Sequence, residues 1–146
     1  MEKIGICGAG LIGASWAISF ANAGFKCFVY DANHNSFTSF KKTSNKLIQD
    51  LRIINSDIDE VRINSNIKIN CNIEEICNDS VLVQESVVED LEIKKKIFVQ
   101  LDKLTSENTI IASSSSYLLI SRIPQLVKHK HRCICLLYTS DAADEE

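Results

Sequence analysis

Residues 3–13 read KIGICGAGLIG, a short apolar run that is followed at once by three glycines in the spacing GxGxxG. The apolar run is typical of a buried β-strand, and from Leu11 onward the apolar residues follow a helical spacing. A second apolar run at residues 27–30 ends at Asp31. Strand, glycine turn, helix and strand within about 30 residues predict a βαβ unit whose two strands are parallel neighbours.

The three glycines of this turn fit the chemistry of a dinucleotide phosphate site. Gly8 permits a tight turn, Gly10 lets a pyrophosphate approach the backbone, and Gly13 lets the helix pack closely. The first turn of the helix, which begins with Leu11 and Ile12, offers unpaired N–H groups and a partial positive charge to the phosphates. The alternative is a purely structural glycine turn, because GxGxxG alone is a weak signal.

Asp31 lies 18 residues after Gly13, at the end of the second predicted strand. A carboxylate at this point accepts hydrogen bonds from the ribose hydroxyls of an adenosine and repels a 2′-phosphate. No arginine follows Asp31 closely in the sequence, so we expect the chain to prefer NAD over NADP. The alternative is a surface aspartate in a turn.

The rest of the chain alternates helices and strands. Residues 34–64 have apolar positions three and four apart, which predict one amphipathic helix or a pair of helices. Further strands are predicted at residues 66–70, 80–84, 108–112 and 132–137, and further helices at residues 73–77 and from Asp90 to Leu104. Because these strands are apolar on both faces, the sequence predicts a Rossmann-type, doubly wound α/β fold with a mainly parallel sheet.

Composition and charge narrow the classes of function. The 146 residues are 45% hydrophobic and 24% charged, which is typical of one ordinary soluble domain. The net charge is −3, so the chain lacks the excess of basic residues that is typical of nucleic-acid-binding proteins. No apolar run approaches the roughly 20 residues that span a bilayer. We therefore expect neither a nucleic-acid partner nor a membrane partner.

Cysteines and histidines give little sign of a metal site. The N-terminus does not resemble a secretory signal, so the six cysteines are expected to be reduced thiols in the cytoplasm. Cys133 and Cys135 would share one face of the last strand, and two buried thiols are preferred over a metal site there. His129 and His131 are expected in a solvated loop, with neither a catalytic nor a metal role.

Polar side chains follow other predicted strands, at the edge where open α/β sheets bind ligands. Glu85 and Glu89 come after one strand, and the four serines at residues 113–116 come after another. A serine hydroxyl could hold a substrate oxygen there, although serine clusters are usually turns. Lys94 lies one turn after Asp90, where an ion pair on the helix surface explains it.

Three blocks, residues 3–31, 84–96 and 110–118, together resemble the NAD-binding domain of the 3-hydroxyacyl-CoA dehydrogenase family. The middle block reads QESVVEDLEIKKK, and with its continuation IFVQLD it is most similar to the lambda-crystallin and L-gulonate 3-dehydrogenase branch. The resemblance covers about residues 3–135.

This resemblance implies roles for four side chains. Ser116 matches the family's active-site serine, which hydrogen-bonds the 3-oxygen of the substrate. Glu89 and Lys94 match positions that contact the cofactor on its nicotinamide side, and Asp31 matches the ribose-binding acid. The family moves a hydride between C3 of a 3-hydroxyacyl-CoA or 3-hydroxy acid and the nicotinamide of NAD. A histidine, oriented by a glutamate, is its general acid and base.

The resemblance ends near residue 136. The histidine–proline pair of the family falls at Leu137 and Tyr138. We therefore expect residues 1–135 to form the NAD-binding domain and residues 136–146 to be a tail foreign to the family, either artefactual or disordered. The catalytic histidine, its glutamate partner and the helical C-terminal domain through which the family dimerises would then be absent.

On these expectations the 146-residue chain binds NAD without turnover, and its full-length form is a homodimeric dehydrogenase with a small-molecule substrate. Two alternatives remain. The chain is a genuine NAD-binding module without catalysis, or it belongs to another hydroxy-acid dehydrogenase family with the same glycine turn. The block at residues 84–96 and the position of Ser116 after a strand favour the 3-hydroxyacyl-CoA dehydrogenase family over the other hydroxy-acid dehydrogenases.

Overall fold

The computed structural model describes residues 1–116, 118 and 121–137, so the predicted foreign tail from residue 138 onward lies outside the described residues. Helices and strands alternate along the chain. In order they are β1 (Lys3–Cys7), α1 (Leu11–Asn22), β2 (Lys26–Tyr30), α2 (Ser36–Ile54), α3 (Glu60–Asn66), β3 (Ile67–Lys68), α4 (Ile73–Cys77), β4 (Ser80–Glu85), α5 (Leu91–Leu104), β5 (Ile110–Ser113) and β6 (Cys133–Cys135). Two short 3₁₀ helices, Ile123–Leu126 and Lys130–Arg132, precede β6.

Within the described residues, six strands form one parallel sheet in the order β3-β2-β1-β4-β5-β6. This is the strand order of a doubly wound dinucleotide-binding fold, in which the order reverses beside β1. The carboxyl ends of all these strands meet at one edge of the sheet, and the crevice between β1 and β4 lies at that edge. The predicted Rossmann-type α/β fold is confirmed.

Helices cover both faces of the sheet. On one face, α1, α2 and α3 pack over an apolar cluster that includes Ile6 and Ile18. On the other face, α4 and α5 pack over a second cluster that includes Val83 and Phe98. Strand β1 is therefore buried on both sides, which explains why its sequence is apolar at nearly every position rather than alternating.

The elements at the β3 side of the sheet differ in length from the sequence prediction. Residues 34–64 form the helix pair rather than a single helix, and the side chain of Asp59 caps the second helix, α3. Strand β3 has two residues, fewer than the predicted 66–70. It ends early because Asn70 adopts a left-handed backbone with φ of 61° and Asn72 begins the capping box of α4.

The segment before β6 is held by Asp102, which lies on α5. The buried guanidinium of Arg132 donates to Asp102 Oδ1 from both Nε, at 3.2 Å, and Nη2, at 2.5 Å. His129 Nδ1 lies 3.1 Å from the same oxygen. The prediction of a solvated loop is therefore wrong at His129, which is bonded to α5, whereas His131 is exposed.

Across the described residues, no helix is long and apolar enough to cross a membrane, and no group of three or more His, Cys, Asp or Glu side chains could hold a metal ion. The six cysteines are free thiols. Cys133 and Cys135 are both half-buried, with the exposed Ile134 between them, so they share one face of β6.

Candidate functional site

The turn from β1 to α1 is closed by backbone contacts that leave no room for a side chain. Gly8 has a φ of 113°, and a Cβ at this residue would lie 2.5 Å from the carbonyl oxygen of Ser86. A Cβ at Gly13 would lie 1.9 Å from the carbonyl oxygen of Gly8. Gly13 thus allows the helix to pack against the turn itself, rather than against the strand alone.

Gly10 has a different environment, because a Cβ there would meet no atom of the described residues within 4 Å. Gly10 is the N-cap of α1, and no side chain in the described part of the chain caps this helix. The next two residues, Leu11 and Ile12, are 60% and 50% exposed despite being apolar. The first N–H groups of a 12-residue helix therefore face open space, which is the arrangement that binds a pyrophosphate.

Asp31 lies directly after β2, beside the glycine turn. Its Oδ2 accepts a hydrogen bond from the N–H of Ala9 at 2.8 Å, and its Oδ1 accepts one from the N–H of Asn33 at 2.8 Å. These two bonds fix the carboxylate, and each oxygen keeps further acceptor capacity for a ligand hydroxyl. Asp31 lines a cavity of about 460 Å³, here named the Asp31 cavity, with Gly8, Gly10, Tyr30, Ala32, Asn33, Ser36, Ser86, Val87, Val88, Ile93 and Ile97.

A second cavity of about 590 Å³, here named the Ser116 cavity, lies beside the first. Ser86 and Val87 line both cavities, so the two share a wall at the carboxyl end of β4. The other lining residues of the Ser116 cavity are Ile12, Ser15, Trp16, Glu89, Ser114, Ser116 and Leu137. Together the two cavities extend across the edge of the sheet where a two-part ligand would lie.

A buried ion pair joins β4 to α5 beside these cavities. Lys94 is 1% exposed, and its Nζ lies 2.7 Å from Oε1 of Glu85 and 3.3 Å from Oε2 of Glu89. Glu85 is fully buried, and it also accepts hydrogen bonds from the N–H of Val87 at 2.8 Å and the hydroxyl of Ser113 at 2.7 Å. This pair anchors the segment that forms the shared wall.

The predicted surface ion pair between Lys94 and Asp90 is wrong. Asp90 instead caps α5, because its Oδ1 accepts the N–H of Ile93 at 2.9 Å. The helical spacing of Asp90 and Lys94 pointed to the wrong partner, since the nearer of the two partners of Lys94, Glu85, belongs to the preceding strand. The position of Glu85 after an apolar run was the only sequence signal for it.

Glu89 connects the ion pair to the serine run. Its Oε1 accepts the hydroxyl of Ser115 and lies 3.4 Å from the N–H of Leu118. Burial tends to raise the pKa of the Glu89 carboxyl, but the bond from Ser115, the charge of Lys94 and the N–H of Leu118 outweigh it and lower that pKa. Glu89 is therefore an anion at neutral pH, at the rim of the Ser116 cavity.

Sequence reasoning did not single out Ser114, yet it is the centre of a hydrogen-bonded cluster. Its Oγ lies 3.0 Å from Nε1 of Trp16, 2.6 Å from Nε2 of Gln84 and 2.9 Å from Oγ of Ser86. These partners come from α1, from β4 and from the segment after β4. The cluster therefore fixes the wall between the two cavities.

Ser116 and Leu137 line the same cavity although they are 21 positions apart in sequence. Strand β6 pairs with β5, and the N–H of Leu136 donates to the carbonyl oxygen of Ser113 at 3.1 Å. The position to which the resemblance assigns a histidine thus lies at the Ser116 cavity, and it holds a leucine that is 51% exposed. No histidine among the described residues lines either cavity.

The parallel sheet, the glycine turn at an uncapped helix and the aspartate after β2 define a dinucleotide-binding domain of the Rossmann type. The chain belongs to the 3-hydroxyacyl-CoA dehydrogenase family, since the sequence profile of that family's NAD-binding domain matches residues 3–143. The predicted family and the predicted cofactor, NAD, are confirmed. The boundary at residue 135 and the ligand roles of individual side chains stay predictions.

Related proteins are longer than this chain. A lambda-crystallin homolog of Mus musculus is 38% identical over 132 residues, which are 88% of this chain and 41% of that protein. A probable 3-hydroxybutyryl-CoA dehydrogenase of Bacillus subtilis is 28% identical over 135 residues, or 92% of this chain and 47% of that protein. The chain therefore spans less than half the length of these relatives.

Solved structures have the same fold. The structure of M. tuberculosis FadB2 superposes with a TM-score of 0.85 at 23% identity, covering 97% of this chain and 50% of that one. The (S)-3-hydroxybutyryl-CoA dehydrogenase PaaH1 of Ralstonia eutropha gives a TM-score of 0.82 at 25% identity, covering 92% and 48%.

Proposed function

We propose that this chain is the NAD-binding part of an NAD-dependent dehydrogenase of 3-hydroxyacyl-CoA or L-3-hydroxy acids. The supporting observation is the pair of cavities on the two sides of Ser86 and Val87. One cavity has the glycine turn and Asp31, as an adenosine half requires. The other has Ser116 and the Glu89 carboxylate, where a substrate would meet the nicotinamide.

Each side chain of the site has a separate task in this proposal. Asp31 accepts the ribose hydroxyls, and the start of α1 binds the pyrophosphate. Ser116 donates its hydroxyl to the 3-oxygen of the substrate. Lys94 is too deeply buried for extensive ligand contact, so it acts on the nicotinamide side by holding Glu89. NAD, when bound, accepts the hydride from C3 of the substrate.

The 146-residue chain itself is proposed to bind NAD without turnover. General acid–base catalysis needs a group that exchanges a proton, and Leu137 has none. The same leucine favours the second candidate, an NAD-binding module without catalysis. The gene distinguishes the two, because a histidine–proline pair and an in-frame continuation to the length of the relatives would support the dehydrogenase.

The partners and the compartment complete the proposal. The full-length form acts on a small molecule in the cytoplasm as a homodimer, with no nucleic-acid or membrane partner. The six free thiols support a reducing compartment, and the net charge of −3 supports the absence of nucleic acid.

The first test is a fluorescence titration of the purified chain with NADH, followed by an assay with NAD and either 3-hydroxybutyryl-CoA or L-gulonate. We expect micromolar or weaker NADH binding and no oxidation of either substrate. Absence of NADH binding would overturn the proposed function, and measurable oxidation would overturn the proposal that this chain lacks turnover.

The second test replaces Asp31 by alanine. Hydrogen bonds to a charged group contribute about 1.5–3 kcal/mol each, so Asp31→Ala is expected to weaken NADH binding at least about tenfold. Asp57→Ala is the control, because it removes an exposed aspartate from a loop that lines neither cavity. An unchanged dissociation constant in Asp31→Ala would remove Asp31 from the site.

A further inference from the structure

The cluster around Ser114 has a fixed direction of hydrogen bonding. Nε1 of Trp16 is only a donor. Nε2 of Gln84 is also a donor, because it lies 3.2 Å from the backbone carbonyl oxygen of Glu85, which only accepts. A serine hydroxyl has two acceptor lone pairs and one hydrogen. Trp16 and Gln84 therefore occupy both lone pairs of Ser114, and its hydrogen must go to Oγ of Ser86, 2.9 Å away.

Ser86 consequently accepts from Ser114 and keeps its own hydroxyl hydrogen. Oγ of Ser86 has no second hydrogen-bond partner within the described part of the chain. Its backbone is held in place, because its N–H donates to the carbonyl oxygen of Cys7 at 2.8 Å. Ser86 is half-buried on the wall that the Asp31 and Ser116 cavities share.

We propose that the Ser86 hydroxyl donates a hydrogen bond to an oxygen of the dinucleotide between its two halves, on the second phosphate or on the ribose that carries the nicotinamide. The inference rests on the proposed function, in which the adenosine lies at Asp31 and the nicotinamide at Ser116. Ser114, Trp16 and Gln84 act as positioning residues, since they set the direction in which Ser86 donates.

The test compares AMP, ADP and ADP-ribose by isothermal titration calorimetry on the wild-type chain and on Ser86→Ala. Loss of the Ser86 hydrogen bond is expected to weaken ADP-ribose binding about threefold to tenfold if the acceptor is a ribose oxygen, and at least about tenfold if it is a charged phosphate oxygen. AMP binding is expected to be unchanged. A weakened affinity for ADP assigns the bond to the second phosphate, and an effect that begins only with ADP-ribose assigns it to the ribose.

Ser19→Ala is the matched control. Ser19 is an exposed residue of α1 that lines neither cavity, and its hydroxyl donates to the carbonyl oxygen of Ser15 at 2.9 Å. We expect Ser19→Ala to bind all three nucleotides as the wild type does. If Ser86→Ala binds ADP-ribose as tightly as Ser19→Ala, the role of Ser86 is refuted while the proposed function stands. If the wild type binds neither AMP nor ADP-ribose, both fail.

A second variant tests the direction of the cluster. Gln84 is fully buried and lines neither cavity, so Gln84→Met frees one lone pair of Ser114 without removing a ligand contact. Ser86 can then donate to Ser114 about half of the time, which weakens ADP-ribose binding about twofold. In the Ser86→Ala background the same change is expected to have no further effect. If Gln84→Met weakens ADP-ribose binding equally in the wild-type chain and in Ser86→Ala, the fixed direction of hydrogen bonding from Ser114 to Ser86 is refuted.

Discussion

Lys94→Met isolates a buried carboxylate and tests the ion pair that anchors the shared wall. The methionine keeps most of the packing of the lysine stem, but it removes the ammonium that lies 2.7 Å from Oε1 of Glu85. Glu85 is fully buried, and among the described residues only the N–H of Val87 and the hydroxyl of Ser113 would still bond to its carboxylate. Removing one partner of a buried pair costs about 3–5 kcal/mol, a large part of a typical total stability of about 5–15 kcal/mol.

The assay is urea unfolding at pH 7, followed by far-ultraviolet circular dichroism. Lys95→Met is the control on the neighbouring residue, because Nζ of Lys95 pairs with the exposed Glu92 at 3.0 Å, and such a surface pair contributes about 0.5 kcal/mol or less. The double variant Glu85→Gln with Lys94→Met is expected to recover most of the loss. The amide that replaces the Glu85 carboxylate still accepts a hydrogen bond through its oxygen, and it carries no charge.

The reasoning fails if Lys94→Met loses no more stability than Lys95→Met, because Glu85 would then not depend on the ammonium. It also fails if the double variant is no more stable than Lys94→Met. That result would mean that packing of the lysine stem, rather than the charge of Glu85, determines the loss.

Two further changes have distinct signatures. Gly10→Ala is expected to change stability by less than about 1 kcal/mol but to weaken NADH binding. Gly13→Ala is expected to unfold the domain, since its Cβ would lie 1.9 Å from the carbonyl oxygen of Gly8. Thermal melts and NADH titrations distinguish the two variants. Burial alone would raise the pKa of the Asp102 carboxyl. The hydrogen bonds from Arg132 and His129 and the charge of Arg132 outweigh burial and lower that pKa. A carboxyl whose pKa is lower in the folded state than in the unfolded state stabilises the fold at pH values above its unfolded pKa, near 3.9. This stabilisation is lost as the pH falls through the pKa of the folded state. Asp102→Asn should therefore unfold more easily at pH 7 and lose less stability between pH 5 and 3; a pH-independent difference from the wild type would contradict this.

Most of the fold was predictable because its signals are local. The apolar run, the glycine turn and the helix that begins at Leu11 lie within residues 3–30, and the structure has them as β1, α1 and β2. Residues 66–70 were less predictable. They alternate like a strand, but the left-handed backbone of Asn70 and the cap at Asn72 leave two residues of β3.

The partners within the site could not be predicted, because they depend on which strands are neighbours. Trp16 and Ser114 are 98 residues apart in sequence and meet because β5 is separated from β1 by β4 alone. Glu85 and Lys94 are nine residues apart, but one lies on a strand and the other on a helix. Local spacing favours a partner on the same helix, which is why Asp90 was preferred to Glu85.

The strand order also explains how binding and proton transfer can be lost separately. The glycine turn follows β1, the ribose acid follows β2 and Ser86 follows β4, so three strands position proposed NAD contacts, and the serine run with the proposed substrate contact follows β5. Leu137 follows β6, the edge strand, and contributes to the Ser116 cavity alone. A change at this last strand end therefore leaves the lining of the Asp31 cavity intact. Under the proposed function, a leucine at this position removes the proton-transfer group while the cavity for the adenosine half of NAD remains formed.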